Sequence, residues 1–214
     1  MKSFVITILD LPESVVAAKR CIKSMPEYNV QMWEAYTPKD KPIEMMKDNG
    51  MTIDGFTEVY SKLENCLAAF LSHYKLWEMC VSSGEEFQIF EHDAVCVNNI
   101  PHFINYKGCI SLGAPSYGKF NTPNIFGVNP LTSKRYFPGA HAYRLKPRGA
   151  IALIAQAQKL ARPTDVFLNT DSFSWLEEYY PWPVIAKDSF TTIQNKNGCA
   201  AKHNYGENYE ILRV

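Results

Sequence analysis

Apolar positions change their spacing several times along the chain, and each change predicts an element. Phe4, Val5, Ile6, Ile8 and Leu9 make a short β-branched run that reads as a central strand. Beyond Pro12, Val15, Val16, Cys21 and Ile22 stand among Lys19 and Arg20, the pattern of a helix over 13–25 packed on that strand. Residues 29–36 alternate as a second strand. A β-α-β opening of this length predicts a parallel pair, and parallel sheets bind ligands beyond the carboxyl ends of their strands, which sets Thr7 and Ile8 at a cleft.

The polar stretch 37–60, with Pro38, Pro42, Gly50 and Gly55, predicts an irregular excursion with one helical turn near Met45. From 61 to 81 there is no Gly or Pro, and Leu63, Leu67, Phe70, Leu71, Tyr74, Trp77 and Cys80 recur at helical spacing until Gly84 ends the helix. A strand follows in which Phe87, Ile89, Phe90, Val95 and Val97 surround Glu91, His92 and Asp93. Residues 109–113 predict another strand, and 114–130 a turn-filled loop, read plainly as surface and otherwise as the cover of a bound ligand. The alternation over 139–144 predicts a strand near the cleft, 150–160 a core helix, and 166–179 a further helix.

Bulk properties narrow the classes. The 214 residues suit a single domain over 1–214, read in two parts, 1–100 and 101–214 with its tail. Hydrophobic residues at 46% and charged residues at 21% argue against disorder. Lys+Arg and Asp+Glu both number 22, so no global field draws the chain to nucleic acid or an acidic membrane. No apolar run reaches the length of a membrane span, the first residues lack signal-peptide features, and the six scattered cysteines show no CxxC pairing; a cytoplasmic protein with reduced thiols is expected.

The charged triplet is the chemical centre of this reading. If the backbone stays extended through it, Glu91 and Asp93 project to one side and His92 to the other. Two neighbouring carboxylates repel unless a cation compensates, and a hard divalent ion completed by a diphosphate would do so. The plain alternative is that the acids open a polar loop. His203 stands in the polar tail, read plainly as an exposed histidine and otherwise as one that completes a metal shell.

Three blocks carry a family resemblance. Leu71-Ser72-His73 with Trp77, followed by the strand ending in Glu91-His92-Asp93-Ala94, is similar to the L-S-H-x-x-x-W and E-D-D-A pattern of glycosyltransferase family 25. His92 stands where that family has its middle acid, and Ala68-Ala69 where a Gly-Cys pair is usual. Gly139 to Tyr143, Arg148-Gly149 and Pro163-Thr164-Asp165 resemble its G-T-x-x-Y, helix start and P-x-D, and 183–193 its closing segment. The resemblance implies a GT-A fold, a Rossmann-like mixed α/β sheet flanked by helices. It implies a nucleotide-sugar donor, a UDP-sugar in the first instance, with Mn²⁺ or Mg²⁺, and a hydroxyl-bearing acceptor. Asp93 would contact the metal first, with Glu91 on the ribose or the ion. Thr7, Ile8, Ser72, His73 and His92 would line or brace the donor site, with Lys146, Arg148 and Arg144 as positive charge for phosphate. Inverting transfer needs one base, for which Asp165 is the candidate and Asp171 the reserve; the alternative for either is to cap the helix expected over 166–179. The acceptor is a glycan, a protein, a small molecule or a hydroxylated nucleic-acid base. Two rivals remain: a nucleotide-sugar binding protein with a decayed acidic motif, and a metal-dependent phosphoester hydrolase.

Overall fold

The computed structural model describes residues 1–57, 61–116, 119–137, 140–187 and 190–194. In chain order the elements are β1 (Lys2–Thr7), α1 (Pro12–Lys23), β2 (Val30–Glu34), a 3₁₀ turn (Pro38–Asp40), α2 (Pro42–Asp48), α3 (Leu63–Ser83), β3 (Phe87–Glu91), β4 (Ala94–Cys96) and β5 (Cys109–Ser111). There follow β6 (Gly127–Pro130), β7 (Ala142–Leu145), α4 (Pro147–Ala157), α5 (Thr164–Phe167), β8 (Glu177–Tyr180) and β9 (Val184–Ala186).

Seven strands form one mixed sheet in the order β2-β1-β3-β7-β5-β8-β6, and β4 pairs with β9 in a separate two-stranded ribbon. β1, β2 and β3 are parallel; β7 runs antiparallel between β3 and β5, which restores the original direction in β5 and β8. The carboxyl ends of β1, β3, β5 and β8 therefore share one edge.

Each face of the sheet buries its own cluster. Val5, Phe90, Ile110 and Ala142 meet Ala18 and Cys21 of α1, whereas Phe4, Ile6, Phe87, Ile89 and Leu145 meet α3 and α4. A strand buried on both sides needs apolar residues at every position, which is why β3 reads as a continuous run. α3 is apolar over most of its circumference because it lies against the sheet and is flanked by α2 and α4. Gly84 closes it at φ 66°, a left-handed cap that costs glycine little. From β1 the chain crosses by α1 to one side and later by α3 to the other, so the β1–β3 boundary is a topological switch point.

Three local expectations change. The excursion after Thr37 carries all of α2, and Met46, Met51 and Phe56 join the core. The loop after Ala114 ends in β6, which pairs with β8. The helix expected over 166–179 does not form. α5 stops at Phe167, where Asn169 Nδ2 donates to the carbonyls of Val166 and Phe167 (both 2.9 Å) and its Oδ1 accepts the Ser172 N–H (2.9 Å). A side-chain amide that takes backbone partners competes with the helical ladder, and the β-favouring Tyr179 and Tyr180 then enter β8.

Candidate active site

The switch point is held together by a serine. Beyond β1, the N–H of half-buried Ile8 donates to Ser14 Oγ (2.9 Å), and the same hydroxyl lies 2.9 Å from His92 Nδ1 in the turn after β3. Ser14, fully buried in the first turn of α1, thus clasps the ends of two neighbouring parallel strands. The His92 ring also stacks on Phe190, with centroids 5.2 Å apart. Thr7 is fully buried and its hydroxyl donates to the Val5 carbonyl (3.0 Å), so it shapes the strand end from within.

Glu91 ends a chain of polar groups that begins deep in the core. Trp77 Nε1–H donates to the Tyr143 hydroxyl (2.9 Å), that hydroxyl lies 2.9 Å from His73 Nδ1, and His73 Nε2 lies 3.2 Å from Glu91 Oε1. An indole N–H can only donate, so the tyrosine oxygen accepts there and has its own proton for a neutral His73. The imidazole then carries Nε2–H toward Glu91, and a protonated ring does the same. Trp77 and Tyr143 are fully buried, the His73 side chain is 3% exposed and that of Glu91 37%, so the last member alone meets solvent freely. Burial pushes the Glu91 carboxyl up, but the hydrogen bond and charge of His73, with His141 and His92, outweigh it and hold the pKa below its ordinary 4.5.

His141 lies beside this carboxylate. Its carbonyl accepts the Glu91 N–H (3.0 Å) and its ring rests on Gly113 at the end of β5, where an added Cβ would come within 2.4 Å of Nε2. Only glycine leaves room for the imidazole there.

The expected pairing of Glu91 with Asp93 is not what the backbone does. The strand stops at Glu91 and His92-Asp93 forms a turn into β4, so the two-residue alternation ends there. Glu91 faces α3, whereas the Asp93 carboxylate lies toward α1, where it adds to burial in raising the Cys21 thiol pKa. The Asp93 carbonyl accepts the Lys187 N–H (2.9 Å), and Arg20 donates to the Lys187 carbonyl (3.2 Å), which fastens the turn to β9.

The remaining candidates are spread more widely. Ser72 accepts the Tyr36 N–H (2.9 Å) and donates to the Ala68 carbonyl (2.8 Å), tying the segment after β2 to α3. Asp165, in the first turn of α5, accepts the Val166 N–H (2.8 Å). Asp171 is exposed and forms an ion pair with Arg135. His203 lies outside the described residues. Arg144, Lys146 and Arg148 do not face the acidic turn: Arg144 is fully buried on Gln88 Oε1 (2.6 Å), Lys146 donates to the Tyr106 carbonyl (2.7 Å), and Arg148 binds the Lys107 carbonyl.

Ser14, Trp77, Tyr143 and His141 were not singled out as site residues by the sequence. Trp77 is spaced as core, and one signal was present: His141 and Tyr143 are two apart in the run over 139–144 that the alternation predicts as a strand, which sets both on one side. Among the described residues no three His, Cys, Asp or Glu side chains are grouped to hold a metal ion. Because Glu91 and Asp93 face apart, they do not form one donor set; an ion held here would take Asp93 alone and complete its shell with a diphosphate and water.

No helix among the described residues is long and apolar enough to cross a membrane. Comparison with curated proteins finds no match. Comparison with family models does: the model described as glycosyltransferase family 25 (LPS biosynthesis protein) matches residues 17–168, a span that contains Ser72, the whole chain from Trp77 to Glu91, and Asp165. That match covers more than half of the chain, and the mixed sheet with its acidic turn at the switch point agrees with a Rossmann-like transferase; the protein belongs to glycosyltransferase family 25 and is a glycosyltransferase.

Proposed function

We propose that the protein moves a hexose-type sugar from a nucleoside diphosphate donor, a UDP-sugar, to a hydroxyl of a glycan or other polar acceptor, with inversion and with Mn²⁺ or Mg²⁺. The observation that carries this reading is the acidic turn, His92-Asp93, set beyond Glu91 at the boundary between β1 and β3. Open α/β sheets take nucleotides at such a boundary.

Roles follow from the surroundings of each group. The strand ends at Thr7 and Ile8 border the nucleotide, and Glu91, oriented by His73, accepts hydrogen bonds from the ribose. Asp93, on the turn, is the first choice for the ion. When bound, that ion supplies Lewis-acid stabilisation of charge on the departing diphosphate. His92 points to Ser14, so the middle of the triplet serves the clasp between β1 and β3. Inversion asks a base to take the acceptor proton during attack, and Asp165 is preferred because it stands in the P-x-D block within the family match, whereas Asp171 lies beyond it in an ion pair with Arg135. The five described cysteines are free thiols, which supports a cytoplasmic setting.

The test is donor-dependent: UDP-glucose, UDP-galactose, UDP-N-acetylglucosamine and GDP-mannose, each with and without Mn²⁺, followed by thermal shift and by release of nucleoside diphosphate. Binding to the native state raises the apparent melting temperature, and release should require the metal and quicken with acceptor. If no donor shifts the melting curve or is cleaved, the proposal fails.

A further inference from the structure

At the far end of the sheet from β2, one ribbon leaves the plane. β8 pairs with β5 only as far as Glu178; Gly113 then bridges to Val184, and Ala114 N–H donates to the Val184 carbonyl (2.7 Å). Residues 179–183 therefore part from β5, and Tyr179 and Tyr180 continue with β6 alone at the carboxyl edge of the sheet, the edge that carries Glu91.

Four aromatic rings of this ribbon and the segment before it touch one another. Phe126 stacks on Tyr180 (centroids 6.0 Å apart, planes 4° apart), and Trp182 meets Tyr180 (5.1 Å) and Phe120 (5.7 Å) edge to face. Phe126 is 79% exposed and Phe120 46%. Trp182 is oriented from inside, because its Nε1–H donates to Oε2 of fully buried Glu178 (3.2 Å). The other oxygen of Glu178 accepts the N–H groups of Thr132 (2.7 Å) and Ser133 (2.8 Å). The indole N–H is thus directed inward. Exposed Asn121, Thr122 and Asn124 lie between Phe120 and Phe126 along the chain.

We propose that these rings form an acceptor subsite for an oligosaccharide, a role that rests on the transferase reading of the cleft. A pyranose has a face of C–H groups and a rim of hydroxyls. The C–H face suits the electron-rich face of an aromatic ring, and the hydroxyls suit neighbouring amides and hydroxyls. A purely apolar occupant would cover the rings and strip water from Asn121, Thr122 and Asn124 without replacing it, which is unfavourable. β8 lies three strand positions from β3, roughly 14 Å at the usual spacing. That distance exceeds one sugar ring, so the subsite holds sugars remote from the reacting hydroxyl and selects extended acceptors over single sugars.

The experiment uses the full chain and calorimetric titration with maltotetraose, cellotetraose, lacto-N-tetraose and a delipidated lipooligosaccharide core. At least one should bind, Phe126→Ala and Phe120→Ala should each weaken it about tenfold, and Phe103→Ala, whose ring is 84% exposed and outside the group, should leave it unchanged. Binding to none of the four, or equal binding by Phe126→Ala, overturns the subsite. So does a Phe126-dependent self-association in sedimentation, or Phe126-dependent binding to phosphatidylglycerol vesicles, when oligosaccharide binding is absent. Donor cleavage by the unaltered protein is scored separately: cleavage without oligosaccharide binding removes the subsite alone, and oligosaccharide binding without cleavage removes the transferase reading alone.

Discussion

The two ends of the sheet treat their aromatic and polar groups in opposite ways. Around β1–β3, Trp77 and Tyr143 are fully buried and their polar atoms are joined in a chain that delivers one oriented carboxylate, Glu91, to the edge. Around β6–β8, the buried acid Glu178 is the anchor and the rings stand outside it. Buried and saturated groups hold a fixed geometry, which suits a part of the reaction that never varies. Exposed rings on a departing ribbon contribute little to the fold and are free to meet a partner that differs from case to case.

Substitutions separate these two kinds of region. The largest effect is expected at the acidic turn: Asp93→Asn should lower transfer on the order of 100-fold or more with the fold intact by circular dichroism. Unchanged turnover would remove Asp93 from the site. Next comes Tyr143→Phe, which leaves Trp77 Nε1 and His73 Nδ1 buried without their shared partner. It should cost about 1–3 kcal/mol in urea unfolding and loosen Glu91, and wild-type stability would show that the chain is not a unit.

Gly113→Ala should displace the His141 ring and cut turnover roughly tenfold, a smaller effect because the reacting groups themselves remain. Full activity would show that the position of the His141 ring does not matter to the reaction. The acid response is smaller again. Because the folded pKa of Glu91 lies below 4.5, its contribution to stability is present above 4.5 and is lost as pH falls through the lower folded value. Glu91→Gln should therefore flatten the acid limb of a stability-against-pH curve, and an identical limb would separate Glu91 from the His73 contact. Smallest of all, Phe126→Ala should leave stability within about 0.5 kcal/mol. A loss as large as that of Tyr143→Phe would erase the contrast between the two ends.

Much of the scaffold was legible because burial leaves a periodic trace. β1, β3 and α3 follow from unbroken apolar spacing, and the left-handed cap at Gly84 from a glycine after it. The helix expected over 166–179 failed for a local reason that spacing does not encode, namely the grip of Asn169 on its neighbours' backbone. The opposed directions of Glu91 and Asp93 were also hidden. Alternation predicts a shared face only while a strand continues, and nothing in the triplet announces that it ends after Glu91.

Sequence alone determined β1, α1, α3, β3 and the acids at the end of a buried strand, since each depends on spacing within one short segment, whereas the mixed sheet was an implication of the family resemblance. Tertiary structure decided which groups meet: Ser14 with His92, Trp77 with Tyr143 and His73, His141 with Gly113, and Glu178 with Trp182. Most of these partners are dozens of residues apart along the chain. Their contacts arise from the order in which strands are laid into the sheet, and no local pattern carries that order.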